Sequence, residues 1–253
     1  MKMFYLVGAG LKKEHLTIEA IETLKKCDEV FIEEYTSLYS EGNVKELGKI
    51  IGKKLRFLGR NGVEEWFEGK LPEAKEKDIA LITIGNALFA TTHIQLLIDA
   101  ENAGVKWRVV QGISIHNFLG RTGLNAYNFG LTVSIVMHSK NYKPESFYDK
   151  IVKNLEAGLH TLCLLDIKPE KKMSVEEALD LLLQIEKKRG KNKIKNSEIV
   201  ALAGMGSFGE RVVSGSAEKL KELNLPVPAS IVVCAKLSDK ELEALNALTE
   251  RLK

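Results

Sequence analysis

The sequence has little cysteine, no large excess of charge of one sign, and no long run that is purely apolar. Cys27, Cys163 and Cys234 are odd in number and widely spaced, which argues against a disulfide framework and excludes a Cys-x-x-Cys motif. We expect them to be buried thiols of a cytoplasmic protein. The 37 basic and 34 acidic residues leave a formal net charge of +3, which argues against nucleic acid as a partner.

The segment that comes nearest to a membrane span is residues 79–98, which carry no charged side chain. Thr83, Asn86, His93 and Gln95 make it too polar for the hydrocarbon of a bilayer. A buried parallel strand followed by its crossover helix explains the run better. Residues 1–8 also lack the long apolar core of a signal peptide. The sequence therefore predicts a protein without a membrane partner.

Several kinds of catalytic site are also missing. The five histidines never pair at metal-ligand spacing, and no Gly-x-Ser-x-Gly motif occurs, so we predict neither a metal site nor a serine nucleophile. Gly8 and Gly10 follow the first predicted strand, but the third glycine of a dinucleotide motif would fall at Lys13. An acid at the end of the second strand, Glu33 or Glu34, gives that motif weak support. A glycine turn without phosphate contact is favoured.

Strand and helix patterns alternate along the chain, which predicts an α/β protein. The strands predicted in the first half, which should pair in parallel, are residues 3–7, 29–32, 54–58, 79–84 and 106–110. Those predicted in the second half are residues 132–137, 161–165, 199–203 and 231–234. We predict a first α/β domain over residues 1–112, a linker over 113–130 and a second α/β domain over 131–253.

The loops that follow the predicted strands contain mostly small, uncharged residues. The clearest example is residues 81–93, where an apolar strand ends at Gly85 and a helical pattern begins near Thr91. Such loops offer backbone donors and acceptors, which suit a neutral heterocycle with a zwitterionic tail better than a polyphosphate. Asp166 also follows a strand, but it is more typical of a loop cap or a partner of Lys168 than of a catalytic acid.

Five short motifs occur in an order that resembles the diphthine synthases, a family of the tetrapyrrole methylase class. The motifs are residues 34–37, 90–93, 114–115 leading into 122–124, 129–130, and 160–168. The resemblance implies two α/β domains with a cleft between them for S-adenosylmethionine, and no metal. It also implies a homodimer that methylates the amino group of a modified histidine on translation elongation factor 2, a step in diphthamide biosynthesis.

The resemblance also implies positions for the cofactor contacts. They are Leu11 in the first turn, Asn86 and Phe89 in the second, Ser114, Ile115, Leu165, Met205 and Ala229. Where the family usually has Gly-Asp-Pro, this chain has Gly85, Asn86 and Ala87. An asparagine keeps an acceptor oxygen but loses the charge, and the rigid proline is gone.

Thr91, Thr92 and His93 are the residues that we expect to orient the substrate, with His93 as a candidate base. Methyl transfer from a sulfonium needs a neutral amine held in line with the methyl carbon, so positioning supplies most of the acceleration. The alternative is that a threonine caps the following helix and His93 is a hydrogen-bonded packing residue.

Three functions stay open at this point. The first is methylation of the elongation factor. The second is methylation of a small tetrapyrrole-like molecule by the same architecture. The third is a non-catalytic S-adenosylmethionine-binding module, in which Asn86 and Ala87 mark a site that has lost its activity.

Overall fold

The computed structural model describes residues 2–168 and 170–252, so positions 1 and 253, the outer ends of the predicted domains, lie outside the described residues. The predicted α/β class is confirmed, because the chain forms two separate sheets with helices. The chain divides into two compact units between His116 and Asn117. This division lies inside the segment 113–130, which contains the 3₁₀ helices Ile115–Thr122 and Ala126–Asn128.

The sheet of the first unit is parallel throughout, in the order β3-β2-β4-β1-β5. Its strands are β1 (Phe4–Gly8), β2 (Glu29–Glu33), β3 (Leu55–Leu58), β4 (Ile79–Thr83) and β5 (Trp107–Val110). The five predicted strands are therefore confirmed, with ends shifted by one residue. The carboxyl ends of all five lie along one edge of the sheet, since parallel strands share a direction.

The helices of the first unit are α1 (Ile18–Lys26), α2 (Glu46–Ile51), α3 (Phe67–Lys70) and α4 (Ile94–Asn102). The hydroxyl of Thr17 accepts a hydrogen bond from the backbone N–H of Ala20 and so caps α1. Three short helices of other types complete the unit: the 3₁₀ helices Lys13–His15 and Leu71–Lys75 and the π-helix Gly62–Trp66.

Two apolar cores cover the two faces of this sheet, and β4 contributes to both. Ile79 and Leu81 face one core, whereas Ala80 and Ile82 face the other. Burial on both faces explains why the strand reads as a continuous apolar run. The uncharged segment 79–98 is thus β4, a loop and the first part of α4. In the parts of the chain that the structure describes, no helix combines the length and apolar character that a membrane crossing requires.

The sheet of the second unit is mixed, in the order β11-β9-β8-β10-β7-β6. Its strands are β6 (Val133–Ile135), β7 (Thr161–Leu165), β8 (Ile199–Ala203), β9 (Arg211–Gly215), β10 (Ala229–Val233) and β11 (Glu250–Arg251). Strand β10 runs antiparallel to both of its neighbours, β7 and β8. Two strands were not predicted from the sequence, β9 and the two-residue β11, which are neighbours at one side of the sheet.

The helices of the second unit are α5 (Ser146–Glu156), α6 (Val175–Lys188), α7 (Ala217–Leu220) and α8 (Asp239–Leu248). Capping boxes begin α6 at Ser174, with Glu177, and α8 at Ser238, with Glu241. In each, the serine hydroxyl accepts from the glutamate backbone while the glutamate carboxylate accepts from the serine backbone. These bonds fix the residue at which each helix begins.

Candidate functional site

The carboxyl ends of β1, β4 and β5 in the first unit approach each other so closely that glycine backbones touch. A Cβ atom placed on Gly112 would lie 2.2 Å from the carbonyl oxygen of Gly85 and 2.6 Å from the carbonyl carbon of Gly8. Gly10 and Gly85 are joined by two backbone hydrogen bonds of 3.1 and 2.9 Å. The glycines after β1 therefore serve backbone packing, in agreement with a glycine turn rather than a dinucleotide motif.

The five predicted cofactor contacts of the first unit gather around this junction. Leu11 and Ser114 are buried, and each has a side-chain carbon 3.9 Å from the position that a Cβ on Gly85 would take. The ring of Phe89 stacks on His116 with 4.5 Å between centroids, and Ile115 is half-buried beside Ser114. The sequence scatters these residues over three loops, and the parallel sheet brings the loops to one edge.

Asn86 joins two of these loops through both ends of its amide. Its Oδ1 accepts from the backbone N–H of Leu88 at 2.9 Å. Its Nδ2 donates to the carbonyl oxygen of Gly112 at 3.2 Å and to Oε1 of Gln111 at 2.7 Å. An aspartate could make only the first of these bonds. The asparagine that distinguishes this chain from the family pattern therefore has a structural role here.

The backbone turns sharply just before the predicted catalytic residues. Ala90 has a φ of +55°, in the left-handed region that residues other than glycine rarely adopt. Helix α4 begins at Ile94, three residues later than predicted, and its N-cap residue, His93, makes no side-chain capping bond. The alternative that a threonine is the capping residue of this helix is therefore wrong: His93 occupies the N-cap position, and the Thr91 hydroxyl contacts the ring and the backbone N–H of His93.

His93 is buried, with 2% of its surface exposed, and its Nδ1 lies 2.5 Å from Oγ1 of Thr91. Burial lowers the pKa of His93 to about 4, so the imidazole is neutral at physiological pH. An amine with a pKa near 8 cannot pass its proton efficiently to such a group. The geometry favours a role for His93 in orienting Thr91 over a role as a base. The third residue of this group, Thr92, is exposed.

This burial makes a testable prediction about the protonation of His93. We expect its ring to titrate with a midpoint near pH 4, because burial penalises the imidazolium form. Ring carbon shifts measured by NMR between pH 3.5 and 8 would follow the titration, with assignment from His93→Gln. A midpoint at or above about 6.5, the ordinary histidine value, would contradict the prediction and restore His93 as a candidate base.

The three predicted contacts of the second unit lie at one edge of its own sheet. Leu165 ends β7, Met205 follows β8 by two residues, and Ala229 begins β10. Because β10 is antiparallel, its first residues pair with the last residues of its neighbours: Ala229 pairs with Ala203 and Ser230 with Leu164. The antiparallel register, which the sequence does not reveal, explains how a strand start joins two strand ends.

Other candidates from the sequence have structural partners. Oδ2 of Asp166 accepts from the backbone N–H of Met137 at 2.9 Å and lies 4.0 Å from Nζ of Lys168, which is the expected loop cap. Residues 187–195 form a run rich in lysine and arginine at the end of α6, and two of them, Lys188 and Arg189, form ion pairs with Glu145. That run therefore offers less unpaired charge to an acidic partner than its sequence suggests.

Neither the cysteines nor the acidic residues that the structure describes form a group that could bind a metal ion. Cys27, Cys163 and Cys234 are buried thiols without a disulfide, as predicted, and burial raises the pKa of each of them. Across residues 2–168 and 170–252, no group of three or more histidine, cysteine, aspartate or glutamate side chains is arranged to hold a metal ion.

Comparison with known proteins gives one consistent answer. The family described as "Tetrapyrrole (Corrin/Porphyrin) Methylases" matches residues 3–221. A "Diphthine methyl ester synthase" of Yarrowia lipolytica is 37% identical over 96% of this chain and 88% of that protein. A "Diphthine synthase" of Methanococcus aeolicus is 36% identical over 99% of both chains. A crystal structure of diphthine synthase superimposes with a TM-score of 0.89 at 30% identity, covering 98% of this chain and 96% of the other.

Proposed function

The chain belongs to the tetrapyrrole methylase family, and we propose that it methylates the modified histidine of translation elongation factor 2 in diphthamide biosynthesis. Family membership makes the chain a methyltransferase that uses S-adenosylmethionine. Relatives named for diphthine chemistry match nearly its whole length, which favours the elongation factor over a small tetrapyrrole-like substrate. The acceptor is the amino group of the modified histidine.

The observation that carries this proposal is the cluster around Gly85 in the first unit. Leu11, Phe89 and Ile115 supply apolar surface, and Asn86 and Ser114 supply polar groups without net charge. This donor set fits the adenosine and amino acid parts of S-adenosylmethionine, which carry no phosphate. Leu165, Met205 and Ala229 in the second unit are proposed as further contacts. When bound, the cofactor supplies an electrophilic methyl group on its sulfonium.

The residues of the chain would then position the acceptor rather than take its proton. The attacking nitrogen must be neutral, and a free amine with a pKa near 8 loses its proton to water often enough at neutral pH. Thr91, held by His93, offers a hydroxyl that can orient the acceptor. We therefore propose Thr91 as the main orienting residue, with Thr92 beside it and His93 acting through Thr91.

The proposal is tested by mass spectrometry of elongation factor 2 that carries the unmethylated intermediate, after incubation with this protein and S-adenosylmethionine. We expect mass increments of one methyl group or more on the modified histidine. Because one set of relatives is named for a methyl ester, the product should also be treated with mild alkali, which removes ester methyls but not N-methyls. No added methyl group would reject the proposed substrate.

The alternatives are separated by measuring cofactor binding together with methyl transfer to a small tetrapyrrole-like molecule. A small-molecule methyltransferase would bind S-adenosylmethionine in calorimetry but leave the elongation factor unmodified. The third alternative is a non-catalytic module that binds S-adenosylmethionine. It would transfer methyl neither to the elongation factor nor to a small tetrapyrrole-like molecule. The homodimer, the cytoplasmic location and the absence of nucleic acid, membrane and metal partners remain predictions, of which the first can be checked by light scattering.

Asn86 gives a prediction specific to this chain. In Asn86→Asp, the two hydrogen bonds from Nδ2 are lost and a carboxylate faces the carbonyl oxygen of Gly112. We expect the affinity for S-adenosylmethionine to fall about tenfold, since losing these bonds in a half-buried place costs on the order of 1 kcal/mol or more. Isothermal titration calorimetry measures this change.

Asn43→Asp is the matched control for Asn86→Asp. Among the described contacts, the Asn43 side chain uses only its acceptor oxygen, which bonds to the backbone N–H of Lys45 at 2.9 Å, and an aspartate keeps that bond. We expect the control to bind the cofactor like the unmodified chain. Equal affinities for the two aspartate variants would show that the Nδ2 bonds of Asn86 do not shape the site.

A further inference from the structure

Three buried polar atoms in the first unit have no hydrogen-bond partner among the described residues: Oη of Tyr35, Oγ1 of Thr83 and Nε2 of His93. The exposed fractions of the three residues are 8%, 1% and 2%. Leaving such atoms unpaired is costly, and most buried polar groups in proteins bond to protein or to an ordered water molecule. Three of them in one unit therefore call for a shared explanation.

The three residues border the same apolar core. The rings of Tyr35 and His93 meet edge to face with 6.5 Å between centroids. Thr83 ends β4, and alternation along the strand puts its side chain on the face of Ile79 and Leu81. These two residues belong to the core that also contains Tyr35. The polar atoms thus lie at the edge of one core, next to the predicted orienting residues.

The loop that carries Tyr35 is held in place on both sides. The buried carboxylate of Glu33 accepts from the backbone N–H of Thr36 at 3.1 Å and from its hydroxyl. The guanidinium of Arg60 lies over the Tyr35 ring, 4.9 Å from its centroid. Held in this way, the ring cannot easily turn its hydroxyl to solvent.

The position of the ring proton on His93 determines which kind of group can bond to its Nε2. The backbone N–H of His93 donates to Oγ1 of Thr91 at 3.4 Å, so the threonine hydroxyl can give its own proton to Nδ1 of the ring. The ring proton then resides on Nε2, which needs an acceptor. The hydroxyls of Tyr35 and Thr83 can each donate or accept, and a water molecule matches all three atoms.

We propose that Tyr35, Thr83 and His93 enclose an internal water molecule, and that Tyr35 and Thr83 act through it as positioning residues for Thr91. The water accepts a hydrogen bond from Nε2 of His93. It thereby fixes the ring in the tautomer whose unprotonated Nδ1 accepts a hydrogen bond from the Thr91 hydroxyl. The one lone pair of Oγ1 that the His93 backbone leaves free then points in a defined direction. The positioning role rests on the proposed methyltransferase function, whereas the water site does not.

The water site is tested by a crystal structure of the full chain at a resolution that shows ordered water. We expect a density peak within about 3.2 Å of Nε2 of His93 and of at least one of the two hydroxyls. The Thr83→Val variant should lose or weaken this peak without other rearrangement. A dry site in the unmodified chain would overturn the proposal.

The positioning role is tested by kinetics of methyl transfer to the elongation factor. We expect Tyr35→Phe and Thr83→Val each to lower kcat about tenfold, the effect of losing one oriented hydrogen bond, with KM for S-adenosylmethionine unchanged. In a Thr91→Val background, the same substitutions should have no further effect. Independent, multiplicative losses would overturn the positioning role, because residues that act through Thr91 cannot act without it.

Tyr148→Phe is the matched control for these variants, since it also removes a buried tyrosine hydroxyl, one that bonds to Glu186 at 3.1 Å in the second unit. It should lower thermal stability and leave kcat unchanged; a tenfold loss of kcat here would assign the effects to general destabilisation. If the unmodified chain transfers no methyl group to the elongation factor, the proposed function and the positioning role both fail, while the crystal structure still decides the water site.

Discussion

Replacing Gly112 with alanine is expected to abolish detectable binding of S-adenosylmethionine and to destabilise the first unit by about 3 kcal/mol. The new methyl group would lie 2.2 Å from the carbonyl oxygen of Gly85, which is far inside van der Waals contact. Neither side can give way cheaply, because both are backbone: Gly85 follows the central strand β4, and Gly112, which follows β5, also meets the backbone of Gly8 after β1. Overpacking of this kind costs on the order of 1–3 kcal/mol and sometimes more.

The loss of binding follows from where the clash lies. The carbonyl oxygen of Gly85 accepts from the backbone N–H of Gly10 at 3.1 Å, and the return bond is 2.9 Å. Moving Gly85 away from Gly112 breaks this pairing and also the bond from Asn86 to Gly112. The loops that carry the proposed cofactor contacts would then no longer be held in fixed positions relative to one another. Calorimetry with S-adenosylmethionine measures the affinity.

The stability of the first unit can be followed on its own, because both tryptophans, Trp66 and Trp107, belong to it. Urea unfolding monitored by tryptophan fluorescence should show a lower midpoint for Gly112→Ala. Gly59→Ala is the control, since a Cβ there meets no atom within 4 Å, and it should leave both midpoint and affinity within error. Full cofactor affinity in Gly112→Ala would show that the junction does not organise the site.

The sequence predicted the strands best where burial leaves a simple pattern. Residues 161–165 and 199–203 were predicted to the residue, because each is an apolar run bounded by polar or small residues. Helix α2 was missed, since Glu46–Ile51 is only six residues long and has no side-chain cap. Strand β9 was missed because Arg211–Gly215 contains a serine and a glycine. Its position depends on pairing with β8, and the residues of β9 alone do not indicate that pairing.

The site could be predicted only in part for the same reason. The resemblance named residues on the loops, but the spacing of Leu11, Asn86 and Ser114 in the sequence does not say that they meet at Gly85. The bond between Thr91 and His93 spans two residues, yet it depends on the positive φ of Ala90, which no residue type indicates. Tyr35 lies in the motif of residues 34–37, but the sequence assigned neither it nor Thr83 to the site, because whether a buried polar atom lacks a hydrogen-bond partner is known only from the folded structure.

Replacing Glu241 with glutamine is expected to lower the stability of the second unit at neutral pH by about 3 kcal/mol, on the scale of breaking a buried charged network. One carboxylate oxygen accepts from the backbone N–H of Asn125, from Nδ2 of Asn128 and from Nε2 of His160, at 3.0, 3.0 and 3.1 Å. The other accepts from the backbone and hydroxyl of Ser238. A glutamine must point its amide hydrogens at some of these donors.

The ring of His160 cannot rotate to offer the glutamine amide an acceptor, because both of its nitrogens are already bonded. The backbone N–H of Ala235 donates to Nδ1 of His160 at 3.0 Å, so the ring proton is on Nε2 and is directed at Glu241. The network therefore ties the starts of β7 and α8, the end of β10 and the segment around Asn125 to a single carboxylate. Glu243→Gln is the control, since Glu243 is exposed and pairs only with Lys240 at 2.8 Å among the described contacts.

The pH dependence distinguishes loss of the carboxylate from a general loss of packing. Burial by itself raises the pKa of Glu241, but the hydrogen bonds from Ser238, Asn125 and His160 outweigh it and hold that pKa well below the usual 4.5. A lowered pKa in the folded state contributes stability that is present above pH 4.5 and is lost as the pH falls below it. The gap between Glu241→Gln and the unmodified chain should therefore narrow from pH 7 to pH 3.

Hydrogen exchange of peptides from β7 and α8 reports on this unit alone and measures the gap at each pH. At pH 7, Glu241→Gln should exchange these amides on the order of a hundredfold faster than the unmodified chain, since about 1.4 kcal/mol corresponds to a factor of ten. At pH 3 the two should come closer together. A gap that stays constant with pH would mean that shape, and not the charge of Glu241, holds these elements together.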